Sequence, residues 1–397
     1  GQSDSLASAI ARQLAASLLP GDATFTPAAL AEAARFVRQT AARRKPGKLA
    51  IAIETVPGVV GERLMRIAII NDDMPFIVDS LAAAIAAQGL CIDRLLHPVL
   101  AVRRDAEGAL TDLPRRAKDS DRRESMVYAE TIRADARTRV ILRSALEAAL
   151  GDVRAAVTDW PAMRDALEGD ADDLARAAQG GEGAELLRWL HGGMLTQLGH
   201  VLRKRNASQS GASQNGASQN GASQSGALGI CRKGTCELLG PASYKRAFAW
   251  FDTLPPGAHL PLVVKSNTVS NVHRRIPLDL FIAPVLESGQ VAALSVHAGL
   301  WTSAALGASP AEIPRMRTQL VALMERLGFS AHGHAGKALL HALTALPHDL
   351  LIGFTDHDRD LAFDSVTFKA ATGLEASEAE SLLGLAVGGG EVAGALQ

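Results

Sequence analysis

RIAIINDDMPFIVDSLAAAIAAQGLCIDRLLHPVLAVRRD, residues 66–105, is the stretch whose reading decides the fold. The apolar run 64–70 ends in the polar turn Asn71, Asp72, Asp73, and Pro75 then opens a helix whose Ile77, Leu81, Ala84 and Ile85 share one face until Gly89 stops it. The order is strand, turn, helix. Residues 90–102 read as a further strand and 125–132 as another, with a charged Asp/Arg/Gly loop between them. Leu142, Leu146, Ala149, Leu150 and Val153 mark a second amphipathic helix. Together these segments spell βαββα, and the alternating stretch 49–56 is available to complete the sheet. The expectation is an α+β, ferredoxin-like βαββαβ sandwich with its helices on an antiparallel sheet.

Upstream, Leu6, Ile10, Leu14 and Leu18 recur every fourth residue, and 27–40 reads as a second helix with Thr26 as its cap and Pro27 at its first position. The basic stretch 43–48 then breaks the pattern, so 1–48 is expected to be a helical amino-terminal segment. The first module is placed at 49–160 and a helical connector at 161–190. A second β-rich module follows at 191–305, with strands at 194–202, 228–231, 260–265, 277–285 and 291–300. Ser309, Pro310 and Glu312 form a capping signature before Ile313, Met316, Leu320 and Met324, and Gly328 ends that helix, so 306–352 is expected to begin a third module. Residues 207–226 are copies of Ala-Ser-Gln-(Ser or Asn)-Gly with no apolar side chain larger than Ala, and are read as a disordered insert that a sheet tolerates.

Composition excludes several classes of function. The chain has 397 residues, 47% of them hydrophobic, and its 41 Lys and Arg against 42 Asp and Glu leave a formal charge of -1. No global positive field argues for nucleic acid or an anionic membrane as partner. Three cysteines, Cys91, Cys231 and Cys236, cannot build a disulfide framework, and no run approaches the roughly 20 apolar residues of a membrane helix. The first ten residues have neither a basic region nor a continuous apolar core, so no secretory signal is read and a cytoplasmic location is expected.

There is no phosphate-binding loop, nucleophile elbow or metalloprotease helix motif, and no catalytic, cofactor-binding or metal-ligating residue is expected. The run Gly388, Gly389, Gly390 is read as a turn; Cys231 and Cys236 as ordinary thiols; His332 and His334 as loop residues. Two polar clusters stand out. Asn71, Asp72 and Asp73 precede a helix N-terminus, where backbone N–H groups could hold a carboxylate and an Asp an ammonium group, although helix capping explains the same residues. Lys265, Asn267, His273 and Arg274, with Ser266, Thr268, Asn271 and Arg275, could clasp an anion or form a solvated strand connection.

The 66–105 run resembles the amino-terminal region of the large bacterial NAD-dependent glutamate dehydrogenases. The resemblance continues through DVRAAVTDWPAMR (152–164), ELLRWL (185–190), KSNTVSNVHRRIPLDL (265–280), WTSAALGASPAEIPRMR (301–317) and GFSAHGHAGKALLHALTALPHDL (328–350). It implies tandem ACT-like modules that regulate or assemble an oligomer, with a possible amino-acid effector. It also implies a parent reaction of L-glutamate and NAD giving 2-oxoglutarate and ammonium, in a catalytic domain this chain lacks. Two departures are visible. Gln197-Leu198-Gly199-His200 and the repeats replace a compact strand and loop, and the resemblance stops near residue 352. From there GFTDHDRDLAFDSVTFKAATGLEASEAESLLGLAVGGGEVAGAL (353–396) resembles tail proteins of phages and gene transfer agents, and is read as a short β-rich tail of foreign origin. Asp356, His357, Asp358 and Asp360 are assigned to a charged hairpin turn rather than to a metal. The alternative functions are a phage or gene transfer agent tail protein carrying a foreign amino terminus, and a free-standing amino-acid-binding module.

Overall fold

The apolar run before Asn71 buries both of its faces: Met65, Ile67 and Ile69 enter one core, Ala68 and Ile70 another. A strand of that kind needs cover on both sides of its sheet. The computed structural model describes residues 2–57, 63–118, 120–177, 181–205, 226–233, 237–255, 260–314, 316–328, 330, 332–334 and 336–337. The 207–226 repeats except Gly226, residues 338–352 of the expected third module and the 353–397 tail lie outside the described residues. Two compact units divide the chain: Gly1–Val157 with Ser270–Ile276, and Thr158–Val269 with Pro277–Gln397.

The first unit opens with helices α1 (Gln2–Ala16) and α2 (Pro27–Ala41), followed by strands β1 (Ala50–Pro57) and β2 (Arg63–Asp72) and helix α3 (Ile77–Ala86). Strands β3 (Ile92–Leu96), β4 (Val99–Arg104), β5 (Leu110–Asp112) and β6 (Arg122–Ile132) lead to α4 (Ala136–Ala177), whose residues from Thr158 onward belong to the second unit. The antiparallel sheet runs β1-β2-β6-β4-β5, with β3 also on β6. Its β2-α3-β3/β4-β6-α4 portion is the expected βαββα, and β1 completes it beside β2 from the amino-terminal side. On one face Ile77, Leu81 and Ile85 of α3 and Leu142, Leu146 and Leu150 of α4 meet Met65, Ile67 and Ile69. On the other, Ile10 and Leu14 of α1 and Phe36 and Val37 of α2 meet Ile70, Met126 and Tyr128. The two amino-terminal helices are thus a layer of this unit, because without them the second apolar face of β2 would be wet. Thr26 caps α2, its Oγ1 accepting from Ala29 N at 3.2 Å, with Pro27 in the first turn.

Residues 90–102 form two strands rather than one. Both pair with β6, and the break falls at His97 and Pro98, since proline has no N–H to give to a ladder. The helix expected over 142–153 is longer than its periodicity announced: α4 is a continuous 42-residue helix that carries Pro161 in its interior. Met163, Leu167, Ala171 and Leu174 are buried at the same three- and four-residue intervals that follow Leu142, which continues the helix through the lost hydrogen bond.

In the second unit α5 (Glu182–Trp189) and a π-helical turn (Leu190–Met194) precede β7 (Leu195–Lys204) and the short β8 (Leu228–Gly229). A 3-10 turn (Ile230–Lys233) and helix α6 (Pro241–Thr253) follow, then β9 (Leu262–Val269), β10 (Pro277–Glu287), β11 (Gln290–Trp301), α7 (Ser303–Leu306) and α8 (Met316–Leu327). The sheet order is β8-β7-β11-β10-β9, all antiparallel. It is an α+β layer like the first, but β9, β10 and β11 form a meander that lays β11 against β7. The helix α6 interrupts what the sequence reads as strands alone, and buries Ala247, Phe248 and Phe251.

Candidate functional site

Asn71 and Asp72 end β2, in register with Ser125 and Glu124 of β6. Two acidic residues opposite one another in a sheet repel unless cations intervene. Arg44 supplies the first, its Nη2 donating to Asp72 Oδ1 and to Glu124 Oε1, both at 2.7 Å. Arg104 grips Glu124 with two bonds of 2.8 and 2.7 Å, and Arg154 of α4 donates to Asp72 Oδ2 at 2.6 Å and to Asn71 Oδ1. Gly47 N adds a bond of 2.9 Å to Asp72 Oδ2. Arg44 and Glu124 are only 4% and 1% exposed, so a buried ion pair sits at the heart of this set of three guanidinium groups on two carboxylates, with Asp72 and Arg154 half-buried at its edge. Burial alone would raise the Glu124 carboxyl, but its bonds with Arg104 and Arg44 outweigh that and hold it below the usual glutamate value. The same balance, struck against Arg44 and Arg154, lowers Asp72. Arg44 N reaches Gly108 O at 2.8 Å, and Gly108 has φ +85 with its would-be Cβ only 2.7 Å from Arg44 O, so that close approach requires glycine.

Asp73 is engaged differently. Its Oδ1 accepts from Ser125 Oγ at 2.8 Å, and Ser125 Oγ lies 2.9 Å from His97 Nε2. Burial lowers the His97 imidazole below its ordinary value, against the opposing pull of Asp73. Neither Asp72 nor Asp73 caps α3: the cap position is Phe76, held at φ 68 with no side-chain hydrogen bond.

The second polar cluster of the sequence is divided. Lys265 and Asn267 belong to β9 of the second unit, where Lys265 Nζ pairs with Asp279 Oδ1 at 2.6 Å and Asn267 is exposed. His273 and Arg274 belong to the first unit. His273 N donates to Ser80 Oγ at 2.9 Å, its Nδ1 lies 2.8 Å from Asp79 Oδ2, and its ring packs 5.4 Å from that of Phe76. That segment also closes a slot of about 180 Å³ lined by Ser80, Ala83 and Gln88 of α3, Ala145 and Ala149 of α4, and Asn271 and Arg275. Asn271 spans the rim, donating to Asp152 Oδ2 at 3.0 Å and accepting from Arg275 Nη1 at 3.0 Å. Alanines floor the slot, and its polar lining is Ser80, the Gln88 and Asn271 amides and the Arg275 guanidinium, the last able to hold a carboxylate.

Of the groups expected to be metal-free, Cys231 is buried, His332 and His334 are exposed, and Cys236 lies outside the described residues. A set the sequence did not single out, Asp170, His200 and His297, converges in the second unit. Burial first, and His297 second, push the His200 imidazole down to about 4.

The antiparallel sheet flanked by helices and ending in this charge cluster falls in a stretch of sequence that is similar to a known domain. Residues 10–146 match the family model of the glutamate dehydrogenase ACT1 domain. The match reaches from α1 into α4 and so takes in both faces of the first sheet. The NAD-specific glutamate dehydrogenase of Halomonas elongata is 29% identical over 300 residues, 71% of this chain and 18% of the relative. That of Pseudomonas aeruginosa is 29% identical over 293 residues, with the same shares covered. The chain therefore spans less than a fifth of the length of these curated relatives. Residues 338–397 match a different family model, the N-terminal attachment domain of a baseplate hub protein, and lie outside the described residues.

Proposed function

We propose that the ACT1-type unit and the α+β unit after it are a regulatory or assembly region of a large NAD-dependent glutamate dehydrogenase, and that this chain by itself does not oxidise glutamate. The observation that carries the reading is the alignment of 300 residues to an NAD-specific glutamate dehydrogenase together with the ACT1 match over 10–146. The parent reaction would be oxidation of L-glutamate by NAD to 2-oxoglutarate and ammonium, with NAD bound outside this chain, in the cytoplasm and in a homo-oligomer. An amino-acid effector fits the Ser80, Asn271 and Arg275 slot better than the Asn71–Asp73 turn, because both oxygens of Asp72 are already held by Arg44, Gly47 and Arg154.

Purified chain mixed with L-glutamate and NAD should form no NADH above a mock preparation. Self-association by sedimentation should be concentration-dependent. An amino-acid screen should yield thermal protection of about 2.7 kcal/mol at a hundredfold excess over the dissociation constant, and Arg275→Ala should abolish it. Glutamate-dependent NADH formation that follows the chain through purification would overturn the proposal. The match over 338–397 favours a second reading, a tail-assembly protein with a foreign amino terminus; co-sedimentation of the chain with phage-like particles would support it.

A further inference from the structure

β7 and β11 each carry a histidine near the middle, and the antiparallel register sets His200 directly opposite His297. Both are buried, 7% and 0% exposed, with their rings stacked at 4.8 Å. Ser295, two residues from His297 on the same face, puts its Oγ 2.9 Å from His200 Nε2 and 3.4 Å from His297 Nε2. Asp170, from the last turns of α4, meets the same point: its Oδ2 lies 2.6 Å from His297 Nε2. One ligand atom from each of Asp170, His200 and His297 lies within 4.8 Å of the others.

Hydrogen bonds within the chain leave this cluster incompletely satisfied. Among the described residues His200 Nδ1 and Gln197 Oε1 are buried with no partner. Asp170 has no Arg or Lys ion pair among them, only an imidazole. A half-buried carboxylate facing two buried imidazoles is costly unless something charged completes the set. We propose that Asp170, His200 and His297 form a binding site for a divalent transition metal of the zinc class, with Ser295 Oγ or a water as the fourth ligand.

The donor chemistry fits. Two imidazole nitrogens and one carboxylate oxygen form a borderline set that prefers zinc-class ions over magnesium or calcium, and their spacing closes onto a tetrahedral ion with shifts of about 1 Å. Gln197 supplies the outer support such ligands need. Its Nε2 now donates to Met163 O at 3.1 Å and to His297 Nδ1 at 3.0 Å, which places the His297 proton on Nε2, facing Asp170. On metal entry that proton moves to Nδ1 and the imidazole stays neutral. A half-turn of the Gln197 amide then brings its partnerless Oε1 round as the acceptor, in exchange for the Met163 bond. The bulge between Ala298 and Gly299 is what lets Gln197, three residues from His200, reach the same ring. The expectation of no metal ligand rested on Cys231, Cys236 and the loop histidines; these two strand histidines, distant in sequence, become neighbours only through the β7 and β11 pairing.

The test uses the full chain, stripped with a chelator and titrated with Zn²⁺ by calorimetry, with metal content measured after gel filtration. One zinc per chain should bind with a dissociation constant below about 10 µM, and His200→Gln, His297→Gln and Asp170→Asn should each weaken it by about tenfold or more. His332→Gln with His334→Gln should leave it unchanged. Absence of uptake, or uptake unchanged in the His200→Gln, His297→Gln double variant, would overturn the proposal. Should those variants fail to fold, the unmodified chain still decides: Co²⁺ should give the intense visible bands of a tetrahedral nitrogen and oxygen site and slow hydrogen exchange in β7 and β11. A thiolate-to-cobalt band, or exchange slowed elsewhere, would place the metal at another site and refute this one.

Discussion

Glu124→Gln isolates the charge cluster of the first unit. The substitution keeps shape and most hydrogen-bonding capacity but removes the negative charge from a group 1% exposed that pairs with Arg44 and Arg104. Among the described residues Arg44, its own side chain 2% exposed, would keep Asp72, shared with Arg154, as its one carboxylate, beside the Lys48 carbonyl. Removing one partner of a buried pair leaves an uncompensated charge and costs about 3–5 kcal/mol. Because two units can unfold separately, the assay should be local: hydrogen exchange of β2 and β6 peptides as a function of urea, read by mass spectrometry. The pH dependence supplies an independent sign. Glu124 and Asp72 have folded values below their unfolded ones, so their contribution is fully present above about pH 4.5 and is lost as pH falls through the folded values. The variant should lose less stability than the parent over that acid range. A loss below about 1 kcal/mol at neutral pH, with an unchanged acid limb, would show that water already solvates these groups and would refute the burial argument.

Two further outcomes follow from the same kind of reasoning. His97, lowered mainly by burial, should destabilise the first unit as pH falls from about 6.5 toward its folded value, because the unfolded chain takes up the proton first; His97→Gln should flatten that limb in pH-dependent hydrogen exchange of β4 and β6. Gly229, with φ +61 and a would-be Cβ that would run into Leu198 O, should not accept a side chain, so Gly229→Ala should cost the second unit about 1–3 kcal/mol. An unchanged urea midpoint would show that β8 relaxes freely.

Periodicity alone specified much of the first unit. The 3.6-residue spacing of Ile77, Leu81 and Ile85 and of Leu142, Leu146 and Leu150, and the turn residues at Asn71–Asp73, carry their meaning locally, since the side chains that must share a face lie within a few turns of one another. The continuity of α4 past Pro161 and the existence of α6 were not legible, because a proline and a mixed aromatic segment read locally as breaks and only tertiary burial overrides them. The candidate sites divide along the same line. Asp72 was visible as a polar residue at a strand end, but nothing near it announces Arg44, Arg104 or Arg154, which arrive from an amino-terminal segment, a neighbouring strand and α4. Lys265 and His273 looked like one cluster because they are eight positions apart, yet they fall in different compact units. His200, His297 and Asp170 looked like nothing at all. The sequence by itself determined where apolar faces and turns lie; tertiary structure alone decided which charges and imidazoles meet, because strand register and helix docking set distances between residues that local pattern leaves independent.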